Sequence, residues 1–277
     1  AMAVRLGFPA PRRNAFDATC MSPADMPFEL ASINASAALH VGSFISDVMV
    51  QYAQPRPWIL LQEGAENTYV SSAMPQKRNP GLMINTRAAA SDVIGQAQTV
   101  ILKAHNIPPG MSDPKSVSAN AKLANDTSAL LKQFTRVIKA LRVNPERALE
   151  ELNSDWTASQ EVADVLMREY KLPFRVGHHV ASHIVTYARN NNLSPTNFPY
   201  EQVKKIYAEV IKSEYPQGNP VCPMSEQEFR DTLNPTAIVA NRKTEGGPQP
   251  AELTKALSAA DAAIAEQREW TKQNRRH

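Results

Sequence analysis

Three long segments carry apolar residues at helical spacing, and that pattern limits what the chain can fold into more than any other feature. Leu30, Ile33, Ala37, Val41, Phe44 and Val48 predict a helix over residues 27–51. Ala90, Val93, Ala97, Val100, Ile101 and Ala104 predict a second over 81–105. Leu123, Leu130, Phe134, Val137, Ile138 and Leu141 predict a third over 118–142. Proline ends the first two, in "QPRPW" and "NIPPG", because it cannot extend the hydrogen-bond ladder. Helices of this length each span roughly 30 Å or more. Their alanine-rich stripes fit long antiparallel neighbours in a bundle, and no strand pattern or internal repeat competes. The expected fold class is all-α.

The character changes near Asn153. Helical patterns shorten and punctuation thickens, in "KLPF", "LSPTNFP", "YPQGNPVCP", "LNPT" and "EGGPQP". The expected division is a partial helical bundle over 1–153, interrupted by an irregular stretch at 64–80, and a small helical domain over 154–277. Thr157 followed by Gln160 fits a capping box. A last helix is expected from Pro250, with Leu253, Leu257, Ala260 and Ile264 on one face.

Charge and composition exclude several function classes. Thirty basic against 27 acidic residues give a net charge of +3, too balanced and too scattered for a nucleic-acid surface. No uninterrupted apolar run approaches the ~20 residues that cross a bilayer. "AMAVRLGFPAPRRNAFD" lacks the apolar core of a signal peptide, and the two cysteines, Cys20 and Cys222, form no CxxC pair. A cytoplasmic location is expected, with no membrane or nucleic-acid partner. His179 and His183 stand at i and i+4, but the neighbouring sequence offers no third metal ligand, and helix packing is the expected role.

The irregular stretch contains "SSAMPQKRNP" (71–80), which concentrates polar chemistry between two prolines. A serine can act as a nucleophile or, once deprotonated, as a strong base. Lys77, Arg78 and Asn79 supply positive charge and amide donors, which stabilise both an alkoxide and a substrate carboxylate gaining negative charge. The combination suits proton abstraction beside a carboxylate, through a doubly charged aci-acid. A surface loop of ordinary turn residues has the same composition. A serine hydrolase is disfavoured because no GxSxG elbow is present.

The same ten residues resemble the signature loop of the fumarase/aspartase superfamily, roughly G-S-S-x-M-P-x-K-x-N-P. Val70 stands where the family has glycine. "LPFRVGHHVAS" (172–182), "LNPTAIVANRKTEGGPQPAEL" (233–253) and "NAFDA" (14–18) resemble segments of argininosuccinate lyases, so the resemblance extends over nearly the whole chain. It implies that Ser71 takes the proton from the carbon next to a carboxylate. Lys77 and Asn79 then bind that carboxylate and its aci form, while Ser72, Met74 and Gln76 shape the loop. Fumarate leaves with an amine, and no metal or organic cofactor is implied. The implied assembly is a homotetramer in which each active site draws residues from three chains.

Two departures follow from the same resemblance. Argininosuccinate lyases carry a tyrosine, a glutamine and a lysine near substrate after the second long helix. Here "PPGMSDPKSV" places Met111 near the tyrosine and leaves Lys115 as the one counterpart. The substrate expected is therefore an N-substituted aspartate, not necessarily argininosuccinate. The family's T-H-x-Q segment, which supplies the acid-side histidine, has no counterpart, and the chain aligns with the second half of longer members. A C-terminal fragment, inactive alone and associating with the missing half, is the expectation. The alternative is a structural, crystallin-like or binding protein that keeps the fold without the activity.

Overall fold

The computed structural model describes residues 2–5, 7–16, 18, 25–105 and 117–274. Its elements run α1 (Met2–Arg5), α2 (Asp25–Tyr52), β1 (Ile59–Leu61), β2 (Tyr69–Val70), β3 (Arg78–Asn79), α3 (Gly81–His105), α4 (Val117–Ala140) and β4 (Leu141–Val143). Then come α5 (Pro145–Ser154), α6 (Gln160–Arg168), α7 (Phe174–Asn190), α8 (Tyr200–Glu214), α9 (Glu226–Thr232), α10 (Pro235–Asn241) and α11 (Pro250–Asn274). The class is all-α, and the chain divides into two compact units, residues 1–144 and 145–277.

In the first unit α2, α3 and α4 pack against one another. Their buried positions recur every seven residues: Ala31, Ala38 and Ile45; Met83, Ala90 and Ala97; Leu123, Leu130 and Val137. That period keeps one seam facing its neighbours along the whole length, as in coiled-coil packing. Alanines let the backbones approach. Three polar side chains sit within the seam, and each satisfies itself on the carbonyl four residues back. Asn34 Nδ2 donates to Leu30 O (2.6 Å), Thr86 Oγ1 to Leu82 O (2.7 Å) and Thr127 Oγ1 to Leu123 O (2.8 Å).

The buried face of α2 differs from the expected one. Ala31, Asn34, Ala38, Val41, Ile45 and Val48 turn inward, while Ile33 and Phe44 are exposed. An apolar residue on either side of α2 gives two overlapping stripes, and spacing alone does not rank them. By length and composition α2 would also suit a membrane, but its inner stripe is packed on α3 and α4 as in a core helix.

Short strands, which periodicity did not reveal, join the connections. β1 pairs antiparallel with β4, Ile59 opposite Val143, and Asn144 N–H donates to Trp58 O at 2.7 Å. β2 pairs antiparallel with β3, so part of the stretch expected to be irregular is a hairpin.

The second unit is built on aromatic side chains. Phe198 is fully buried, edge-on to Trp156 (centroids 5.4 Å apart) and Tyr187 (5.8 Å). Val176, Val180, Ile184 and Ala188 give α7 its buried stripe. A Cβ on Gly177 would stand 3.2 Å from the Ala163 Cα, so glycine permits the close crossing of α6 and α7. The capping box does not form at Thr157. Its hydroxyl donates to Leu152 O instead (3.3 Å), and Ser159, the N-cap of α6, makes no side-chain cap. A complete box forms between Ser225 and Glu228 at the start of α9. The last helix, α11, starts at Pro250 as expected and buries none of its side chains.

Candidate active site

The hairpin is set in place before its chemistry begins. Gly64, Ala65 and Glu66 all have positive φ (85°, 49° and 63°), which turns the chain out of β1. Glycine takes that conformation without strain, whereas Ala65 and Glu66 take it at a cost. Asn67, nearly buried, secures the turn. Its side-chain Nδ2 donates to Gln62 O (3.1 Å), and its backbone carbonyl accepts from Leu82 N–H (3.1 Å) in the first turn of α3. Arg136 of α4 adds a bond to Ala65 O at 3.3 Å.

The ladder register puts Tyr69 opposite Asn79 and Val70 opposite Arg78. Ser71 N–H continues it, donating to Lys77 O at 3.3 Å. Side chains alternate faces along a strand, and directly opposed residues share one. Ser71, Lys77 and Asn79 therefore belong to one face of the hairpin, Val70 and Arg78 to the other. Ser71 Oγ accepts from the Ala73 and Met74 amides, both at 3.3 Å. Two donors aimed at a hydroxyl oxygen favour its ionised form. An amide-capped serine is also an ordinary turn device, so this pair of bonds assigns a role only together with Lys77 and Asn79.

Arg78 works on the back of the hairpin. Its Nε donates to Glu63 (3.1 Å) and its Nη1 to Pro75 O (2.6 Å), while its carbonyl accepts from Tyr52 Oη (3.0 Å). Tyr52 holds its phenol proton more firmly than usual, first because of burial and then because of Glu63, with Arg78 opposing. Sequence reading treated Arg78 as one more cation in the loop. The structure makes it a tie across the hairpin, a role that no spacing rule exposes.

Met74, Gln76, Lys77 and Asn79 line a cavity of about 650 Å³ beside the hairpin. Ser71 is half-buried and Ser72 exposed, and neither is among its lining residues. Asn79 stands one proline before α3, whose N-terminus carries partial positive charge and favours an anion nearby. Lys115 and Met111 lie outside the described residues.

A larger cavity, about 900 Å³, opens in the second unit among α6, α9 and α10. Several charges in and around it are paired. Buried Glu161 pairs with Arg168 (3.0 Å), Asp164 with Arg242 (3.2 Å), and Tyr170 Oη donates to Glu228 (2.5 Å), which pushes the phenol up to about 12. Size therefore does not select the site; the hairpin is the candidate because its register gathers Ser71, Lys77 and Asn79, whose Nδ2 donates to Tyr69 O at 3.5 Å. His179 pairs with Glu214 through Nδ1, a partner 35 residues away that local sequence could not name. Among the described residues no cluster of three or more His, Cys, Asp or Glu side chains forms a metal site.

The chain is similar to known proteins over much of its length. The argininosuccinate lyase C-terminal family matches residues 156–240. An argininosuccinate lyase of Methanosphaera stadtmanae is 27% identical over 198 residues, covering 71% of this chain and 41% of that protein. A variant of EDDS lyase with bound fumarate superposes with a TM-score of 0.78 at 22% identity, over 96% of this chain and 51% of the other. A cobalt-bound fumarate lyase:delta crystallin of Brucella melitensis gives 0.55 at 14% identity, over 86% and 45%. The structural matches show the fold. The chain spans less than half the length of the curated relative and about half that of EDDS lyase.

Proposed function

We propose that this chain, an argininosuccinate lyase-like member of the fumarase/aspartase superfamily, supplies the base and the carboxylate-binding part of a lyase that releases fumarate from an N-substituted aspartate. The observation that carries this reading is the hairpin register, which gives Ser71, Lys77 and Asn79 one face.

In the proposed reaction Ser71, as the alkoxide favoured by the Ala73 and Met74 amides, takes a proton from the carbon beside the substrate carboxylate. The electron pair moves into that carboxylate and makes the aci form. Lys77 Nζ and Asn79 Nδ2 stabilise the added charge, an interaction stronger in the transition state than in the ground state. The pair then returns to form the fumarate double bond as the carbon–nitrogen bond breaks, and the amine leaves with a proton from an acid outside this chain. Ser72, Met74 and Gln76 hold the loop's shape, and Lys115 is proposed to reach the substrate from its own segment.

The site is proposed to be completed by other chains in a cytoplasmic homotetramer, or by a segment equivalent to the family's preceding half. Supporting this, α2, α3 and α4 expose Phe28, Ile33, Val50, Ile84, Leu102 and Ile138. Apolar faces of that extent call for partners.

Lys77→Ala tests the carboxylate role. A hydrogen bond to a charged group contributes about 1.5–3 kcal/mol, so fumarate should bind the variant about ten- to a hundredfold more weakly. Calorimetric titration reads this on the chain itself. A crystallin-like protein that keeps only the fold would bind fumarate equally poorly before and after the change.

A further inference from the structure

We propose that the nitrogen substituent of the substrate is uncharged and apolar, an alkyl or aryl group, and not the guanidinium-bearing group of argininosuccinate. The inference rests on the lyase reading of the Ser71 hairpin and adds the class of amine released.

The lining of the cavity beside the hairpin mixes polar and apolar residues. Gln54, Glu63, Gln76, Lys77, Arg78 and Asn79 are its polar members. Met49, Tyr52, Pro55, Pro57, Leu60 and Met74 give it an apolar wall. Met49 and Tyr52 pack on the bundle core, and the prolines fix the backbone between α2 and β1, so this apolar wall is held from behind. Within β1, Ile59 and Leu61 turn into the core and Leu60 turns out, which is why an apolar side chain faces the cavity at that point.

Charge decides what the wall accepts. Among the described residues lining the cavity, Glu63 is the sole carboxylate, and Arg78 already occupies it at 3.1 Å. A guanidinium or ammonium group entering here would find its counterion taken and two cations, Lys77 and Arg78, in the same lining. It would lose water against Met49 and Leu60 without gaining a partner. An apolar group gains instead, by about fourfold in affinity for each methylene buried. With its carboxylate on Lys77 and Asn79, an aspartate would direct the nitrogen substituent toward the wall.

Calorimetric titration of the chain with three probes tests the inference: aspartate, N-benzylaspartate and argininosuccinate. N-benzylaspartate should bind at least about tenfold tighter than aspartate, from several buried carbons, and argininosuccinate no tighter than aspartate. Leu60→Glu should remove the benzyl advantage, and Lys77→Ala should weaken all three together. The comparison on the unaltered chain decides the matter even if Leu60→Glu does not fold. Equal binding of benzyl and unsubstituted aspartate, or tighter binding of argininosuccinate, with Lys77 dependence retained, would overturn the inference and leave the lyase reading standing. Absence of Lys77-dependent binding for every probe would overturn both.

Discussion

Ser71→Ala should lower turnover of the assembled enzyme by about 10²–10⁴-fold, the usual contribution of a positioned general base. Substrate affinity should change little. In the proposed mechanism the hydroxyl acts on a carbon-bound proton that makes no strong ground-state bond, while Lys77 and Asn79 hold the carboxylate. A loss in kcat with KM nearly constant is the signature of an interaction made in the transition state. Ser72→Ala is the internal control, because Ser72 is exposed and opposes no ladder partner that reaches the carboxylate. Fumarate appearance followed by ultraviolet absorbance reads both variants. Near-normal turnover of Ser71→Ala would remove the base assignment.

Phe198→Ala should destabilise the second unit by about 3–5 kcal/mol, the range for truncating a buried aromatic. Phe198 is fully buried and touches three rings: Trp156, Tyr187 and Phe229. Truncation forfeits its transfer energy, breaks the edge-on pairs and leaves a cavity that the rigid rings cannot fill. A domain's whole stability is about 5–15 kcal/mol, so the loss is a large part of it. Urea unfolding followed by tryptophan emission is the measurement, since the Trp156 ring lies against the site. A midpoint unmoved within error would mean that the aromatic cluster does not hold this unit together.

How much of this was legible in the sequence differs between elements. The three long helices were, because seven-residue spacing survives in the letters at Ala90, Ala97, Leu123, Leu130 and Val137. The inward face of α2 was not, since Ile33 and Phe44 are as apolar as the residues that are buried. β2 and β3 were invisible because two-residue strands have no period to detect. Thr157 and Ser225 both head plausible capping boxes. Backbone geometry, not spelling, decided that Ser225 closes one. At the proposed site, the motif is what singled out Ser71, Lys77 and Asn79. Two features were not: the amides aimed at Ser71 Oγ, which arise from the loop's own turn, and the apolar wall, which Met49 and Leu60 reach from elements before the motif. The Glu161–Arg168 pair was equally hidden, because it sits seven residues apart with nothing in the pattern to mark Glu161 as buried.

The hairpin is proposed to stabilise an aci-carboxylate, and a nitronate imitates that species. 3-Nitropropionate, once ionised at carbon, carries a carboxylate and a planar nitronate whose two oxygens bear negative charge as those of the aci-acid do, whereas succinate of similar size carries two ordinary carboxylates. Complementarity to the transition state makes such analogues bind tighter than ground-state ligands. Calorimetric titration of the chain should show the nitronate binding at least about tenfold tighter than succinate, with that advantage lost in Lys77→Ala and in Asn79→Ala. Equal affinities for the two ligands, unchanged by either substitution, would mean that the hairpin does not stabilise an aci-carboxylate.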